Sequence, residues 1–224
     1  MAEKHMNYSL SLSANEVRRH DWDRFLCTLF APVNMREDLF TLLAFNSELA
    51  RNREMVTDPL IGEMRLQWWR DNIERVYNGS LNKVSGHYIM EHLPDIIRSR
   101  DLSKNLFDQL IEGRLMDLSD QPPADMSDLL DYTKSTSSIL NLLQLEILGC
   151  RKDFESYAEA LGTAWALTGL MLAVPALRRQ GRSPLPQEIV MADQKQIVMA
   201  DQKLGGTGDN IYGAVKTICL AAEQ

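Results

Sequence analysis

Apolar positions along the chain recur every three to four residues, in blocks bounded by helix caps and breakers. Ser13 and Glu16 have the spacing of a capping box ahead of Trp22, Phe25, Leu26 and Leu29, and Pro32 closes that run. Asn34 with Glu37 opens a second helix, which carries Leu39, Phe40, Leu43 and Ala44 to about Glu54. Asp58-Pro59 sets an N-cap before a proline at the first helical position. The helix behind it presents Met64, Trp68, Trp69, Ile73, Val76 and Tyr77, and Asn78-Gly79 stops it. A fourth helix covers Tyr88–Arg98, broken or kinked at Pro94. Ser103 caps a fifth, with Leu106, Phe107, Leu110, Ile111 and Leu118 on one face.

Pro122-Pro123 separates that helix from a sixth, which opens at Ser127 and runs to Gly149. Asp153 opens a seventh that is nearly all apolar from Ala158 to Val174 and ends at Pro175. Its composition places it in the centre of a bundle. After Asp209, Ile211, Val215, Ile218 and Ala222 have the spacing of a last helix. No segment alternates with the strand period. The expectation is an all-α, single-domain helical bundle, with residues 1–12 as a flexible N-terminus and 13–224 as the helical domain.

Composition narrows the functional classes. The 224 residues carry a formal net charge of −7, so the chain lacks the basic footprint of a nucleic-acid binder. Cys27, Cys150 and Cys219 are far apart and odd in number, which predicts free thiols in a reducing compartment. His5, His20, His87 and His92 are scattered through polar stretches and read as surface imidazoles. The first twenty residues include Glu3 and Glu16 and no apolar segment, so neither a secretory signal nor an Arg-rich transit peptide is expected. The longest apolar run, Ala164–Val174, is short of the roughly 20 residues of a membrane span. A cytoplasmic protein is expected, with peripheral contact at the inner membrane through Arg178, Arg179 and Arg182 set against a solvated loop there. Ile189–Lys195 and Ile197–Lys203 repeat one heptapeptide, a local duplication rather than a solenoid.

Five segments resemble the squalene/phytoene synthase family in order and spacing. Pro32-Val-Asn-Met-Arg36 with Leu43-Ala-Phe-Asn46 is similar to the family's P-x-x-x-R and YAFCR helix. Leu66-Gln-Trp-Trp-Arg70 with Tyr77-Asn-Gly79 resembles its L-x-x-WR and Y-x-G segment. Leu110-Ile-Glu-Gly113 with Asp117-Leu118, then Leu161-Gly-Thr-Ala164 with Leu167-Thr168, then Gly181-Arg182 with Leu185-Pro186, complete the series over about Asp23 to Glu188. The resemblance implies an all-α isoprenoid-synthase fold around an apolar cavity. It implies two DxxxD motifs whose aspartates, one turn apart on a helix face, hold Mg²⁺ for a departing diphosphate.

Both motifs are gone. The first aligns with Ala50-Arg-Asn-Arg-Glu54 and the second with Ala173-Val-Pro-Ala-Leu177. The family's glutamine and asparagine align with Ala166 and Gly169, and the arginine after YAFC with Ser47. No catalytic residue and no metal ligand is therefore expected at Ala50, Glu54, Ala173 or Leu177, and no cofactor. Two segments, Ala44-Phe-Asn-Ser-Glu-Leu-Ala50 and Arg65-x-Gln-Trp68, together with Tyr132–Ser138 and Leu145–Gly149, resemble family members that act as assembly factors for respiratory complex I. The family domain continues for several helices beyond Ile211-Tyr212, so a C-terminally shortened form is expected.

The reading is of a non-catalytic family pseudoenzyme that binds a complex I subunit, an isoprenoid or a lipid. The alternative is an active head-to-head prenyl diphosphate transferase with a rearranged, Mg²⁺-dependent site. Phe25, Asn46, Ser47, Ser138, Ala166 and Gly169 are the pocket-lining candidates. The hydroxyl run Ser135–Ser138, and Gly162 with Gly169, fit close helix packing before they fit a cavity wall.

Overall fold

A computed structural model describes residues 10–189 except 83 and 85, and among them there are helices and no strands. The expected helix after Asp209 and the heptapeptide repeat lie outside the described residues, apart from Ile189.

The first apolar run is two helices. Ser11, not Ser13, caps α1 (Leu12–His20) by accepting the Ala14 N–H at 3.0 Å, and Ser13 is buried. Asp21 then breaks the run at φ −147° and caps α2 (Trp22–Thr28), its carboxylate accepting from Arg24 N and pairing with the Arg24 guanidinium at 2.7 Å. An aspartate can compete with the helix for a backbone donor in this way, and here it turns the chain. α3 (Val33–Ala50) starts behind Pro32 with no side-chain cap. It buries Leu39 through Asn46 without interruption.

α4 (Pro59–Tyr77) begins and ends as the sequence predicts. The Asp58 carboxylate accepts from Leu60 N at 2.9 Å, Pro59 takes the first turn, and Gly79 leaves at φ 75°. α5 (Leu93–Ser99) corrects the fourth helix: Pro94 stands in its first turn, where its missing N–H costs nothing, rather than kinking its middle. Ser103, expected as a cap, gives its hydroxyl and its N–H to the Glu146 carboxylate ahead of α6 (Lys104–Gly113).

α7 (Met126–Thr133) is capped by Asp125 rather than Ser127. It passes through a π-helical turn, Lys134–Ser138, into α8 (Ile139–Leu148). α9 (Arg151–Arg179) starts before Asp153 and carries Pro175 inside it instead of ending there. One backbone rung is lost at the proline, while Val174 beside it stays packed with Leu129, Leu167 and Leu185.

Two compact units divide the chain, Met1–Asp108 with Leu143–Arg151, and Gln109–Leu142 with Lys152–Gln224. In the first, Phe45 of α3 meets Trp69 edge-on at 4.9 Å and Phe107 at 5.6 Å, and Leu42, Leu43, Ile73, Ile89 and Leu93 of the same unit are fully buried. Ser103 and Arg151 both close on Glu146.

In the second unit, Gly113 and Gly162 let the π turn approach closely. A Cβ at Gly162 would stand 2.6 Å from Ser138 N, and one at Gly113 would stand 2.8 Å from Ser135 Cβ. α9 buries Ala158, Gly162, Leu167 and Val174. Phe154, Tyr157, Leu161 and Leu172 are exposed, so among the described residues the helix is packed along one side rather than central. An 18-residue window of α9 has mean hydropathy 1.6 and is 17% buried, so by length and composition this helix could cross a membrane.

Candidate functional site

The first motif falls where α3 ends. Ala50 is its last residue, Arg51 caps it, and Asn52–Met55 form a 3₁₀ turn that contains Glu54. Two ligands one α-turn apart share a face only while the α-helix continues, and here it does not. The Glu54 side chain is 77% exposed and stands 4.0 Å from Arg51. Arg51 also meets His20 Nε2 at 2.9 Å, while the Arg53 guanidinium donates to Val56 O. In the second unit Ala173 and Leu177 flank Val174 and Pro175 in α9, with no carboxylate among them. This donor set does not fit the magnesium that the family's synthases use. Among the described residues no group of three histidines, cysteines or carboxylates could hold a metal ion.

The six pocket candidates divide between the units. Phe25 is buried between Trp22 and Phe40 at 5.6 and 5.3 Å. Asn46 is buried in α3, and Ser47 donates back to Leu43 O at 3.0 Å. In the other unit Ser138 donates to Glu159 O at 2.8 Å, where Gly162 admits it. Ser135 and Thr136 both donate to Tyr132 O, so the hydroxyl run packs as expected. Ala166 is half-buried, and a Cβ at Gly169 would meet nothing within 4 Å.

A different cavity stands in the first unit. Glu48 of α3, Ile61, Met64, Arg65, Trp68 and Trp69 of α4, and His87 line an open groove of about 470 Å³. Trp68 and Trp69 meet edge to face at 4.9 Å, and His87 lies 5.3 and 5.1 Å from them. Adjacent residues of a helix diverge by about 100°, so Trp69 is core while Trp68 is 40% exposed.

Arg65 is held in place: its Nε–H donates to Asn52 Oδ1 at 3.0 Å, and buried Asn52 in turn donates to Gly62 O at 2.9 Å. Glu48 faces Arg65 at 3.6 Å and accepts the Tyr88 hydroxyl at 3.4 Å. His87 is half-buried, stacked on Tyr88 at 5.7 Å, and so is not the solvated imidazole expected. Burial holds its pKa below the ordinary imidazole value, against the opposing pull of Glu48. Its Nδ1 is buried with no hydrogen-bond partner. The sequence reading missed this site, although Glu48 lies in one segment of the assembly-factor resemblance and Arg65 and Trp68 lie in the other.

Asp117 and Arg114 form a second polar cluster, in the other unit. The Tyr132 hydroxyl donates to Asp117 at 2.7 Å, and buried Arg114 donates to both at 3.2 and 3.3 Å. Arg182 donates to Asp117 O at 3.0 Å and Ser119 O at 3.3 Å, which ties it to this cluster instead of leaving it in solvent.

The helical architecture is that of an isoprenoid-synthase fold, and the positions that the resemblance aligns with DxxxD carry Ala50, Glu54, Ala173 and Leu177. The sequence model for squalene/phytoene synthase matches residues 17–224, and the chain belongs to that family. It superposes on a dehydrosqualene synthase with a TM-score of 0.76 at 15% identity, over 94% of this chain and 72% of that one. It superposes on a squalene synthase from Alicyclobacillus acidocaldarius with a TM-score of 0.74 at 20% identity, over 94% and 78%. These likenesses establish the fold. In sequence it is 30% identical over 176 residues to the Bos taurus protein named NADH dehydrogenase (ubiquinone) complex I, assembly factor 6, covering 78% of this chain and 52% of that protein. The human protein of the same name is 28% identical over the same shares, and the Drosophila melanogaster homolog is 30% identical over 78% and 53%. The chain therefore spans about half the length of these relatives.

Proposed function

We propose that this chain is a non-catalytic member of the family that acts in the assembly of respiratory complex I. The observation that carries the reading is the replacement of the metal-binding positions by Ala50, Ala173 and Leu177, with Glu54 turned to solvent. Ionising an allylic diphosphate requires charge stabilisation at the leaving group, usually the largest catalytic contribution, and these side chains cannot supply it. The relatives named for complex I assembly support the positive half. On this reading the partner is a complex I subunit or an intermediate that contains one, met at the membrane that carries the complex.

The experiment is deletion of the chain in its native cell, followed by resolution of respiratory complexes on native gels. Loss of assembled complex I, restored by the wild-type chain, is the expected result. Unchanged complex I would overturn the reading. So would formation of squalene, phytoene or a cyclopropyl intermediate when the pure chain is given farnesyl or geranylgeranyl diphosphate with Mg²⁺ and a reductant.

A further inference from the structure

The aromatic cavity of the first unit is a built site with unused polar capacity. Arg65 is fixed through Nε by Asn52, and its Nη2 reaches only Met55 Sδ at 3.6 Å and Glu48 at 3.6 Å. Among the described residues its Nη1 donates to nothing, so an anionic oxygen can approach that edge. Beside it Glu48 is a carboxylate held by a long phenol contact and a long ion pair, with the indoles of Trp68 and Trp69 near it.

A purely anionic ligand on Arg65 would meet Glu48, and a purely cationic one on Glu48 would meet Arg65. Both mismatches vanish for a molecule that carries one charge of each sign. The aromatic lining selects the kind of cation. A methylated ammonium gives its charge to an indole face and its methyl groups to apolar contact, whereas a bare ammonium loses more hydration there than the wall returns. Met64 and Ile61 supply further apolar wall, and the volume of about 470 Å³ suits a small headgroup.

We propose that this cavity binds a zwitterionic phosphocholine group, with its phosphate on Arg65 and its trimethylammonium against Trp68 and Glu48. The site lies on residues that the metal motifs do not use, and the inference stands whether or not the chain acts on complex I. The same headgroup occurs on a soluble phosphodiester and on a phospholipid, and the two sources are separated by experiment.

The test titrates the full chain with phosphocholine, choline chloride and inorganic phosphate, read by tryptophan fluorescence and by isothermal calorimetry. Phosphocholine is expected to quench the indole signal and to bind at least tenfold more tightly than choline or phosphate alone. Glu48→Gln and Trp68→Ala should each weaken it at least tenfold. Arg65→Gln should reduce it to the affinity of choline. Glu48 and Arg65 are partly exposed, so these two variants keep the fold by circular dichroism and remain informative if Trp68→Ala does not. Co-sedimentation with phosphatidylcholine vesicles, set against glycerophosphocholine in solution, assigns the source. Vesicle pelleting lost in Glu48→Gln supports a lipid, and binding confined to the soluble diester supports a free metabolite. No binding of either source at about 10 mM headgroup, well above the millimolar range of weak ligands, overturns the proposal. So does binding that is equal in wild type, Glu48→Gln and Arg65→Gln.

Discussion

Gly162 and Gly169 lie two turns apart on α9 and respond to the same substitution in opposite directions. A methyl group at 162 would stand 2.6 Å from Ser138 N and 2.7 Å from Ser138 Oγ. No real Cβ tolerates such distances, and the nearer atom is backbone in the π turn, so a rotamer change cannot relieve the clash. Overpacking of this kind costs about 1–3 kcal/mol, and alanine recovers about 1 kcal/mol of helix propensity over glycine. Because backbone must move, the net for Gly162→Ala falls near 2 kcal/mol destabilising. At a chain of this size each kcal/mol shifts Tm by about 2–4 °C, so Tm should drop by about 4–8 °C.

At Gly169 the added methyl meets nothing within 4 Å, so only the propensity gain of about 0.5–1 kcal/mol remains. Thermal denaturation followed at 222 nm reads both variants. Adding Ser138→Ala to Gly162→Ala removes Oγ but leaves the amide in place, so the double variant should recover little. A Gly162→Ala chain as stable as wild type, or full rescue by Ser138→Ala, would refute the backbone contact.

Three further outcomes follow from the two units. Tyr132→Phe removes the donor to half-buried Asp117 and the acceptor for buried Arg114, and should cost about 1–3 kcal/mol in urea denaturation; an unshifted midpoint would show that the cluster is not coupled. His87 has a native pKa below its unfolded value near 6.5, so the unfolded chain takes up more protons and stability falls as pH drops through about 6.5. Glu48 and Glu91 pull against that shift and Arg65 adds to it, and His87→Gln should flatten the pH dependence of thermal unfolding between pH 7.5 and 5.5. Ala50→Asp should create no Mg²⁺ site by calorimetry, since the 3₁₀ turn after α3 separates it from Glu54, and Ala173 and Leu177 add no ligand.

Much of the helical order was legible because its signals are local. Asp58-Pro59 and Asn78-Gly79 set both ends of α4 through their own side chain and φ. The close-packing reading of the two α9 glycines holds at Gly162, which meets Ser138, and fails at Gly169, which is exposed and has open space at its Cβ position. The errors arose where tertiary partners compete for local groups. Ser103 looks like a cap until Glu146, 43 positions away, takes its hydroxyl. The π turn was not visible, because its hydroxyls are placed by glycines at 113 and 162 that close on it from outside the segment. The aromatic cavity was missed for the same reason: His87, in a polar stretch, acquires its environment only when α4 puts Trp68 and Trp69 against it.

α3 carries two different histories on two sides. Ser47 and Ala50, which the family resemblance aligns with an arginine and an aspartate, are small and uncharged. Glu48 lies about 200° around the helix from Ala50, on the other side of α3 from the position read as a metal ligand. On that other side the polar groups are not eroded. Glu48 is engaged by Tyr88 and Arg65, Arg65 by Asn52, and Asn52 by the backbone of Gly62. A guanidinium and a carboxylate are thus kept side by side along a groove lined by two indoles, each fixed by neighbours rather than left free in solvent. One face of α3 is therefore uncharged at Ser47 and Ala50 while the other holds Glu48 among several partners. That asymmetry favours a protein whose task has moved to a new surface over one that has simply decayed, and it makes Glu48→Gln the substitution to follow in the native cell. Loss of complex I with Glu48→Gln but not with Glu54→Gln would join the cavity to the assembly role, and the reverse pattern would separate them.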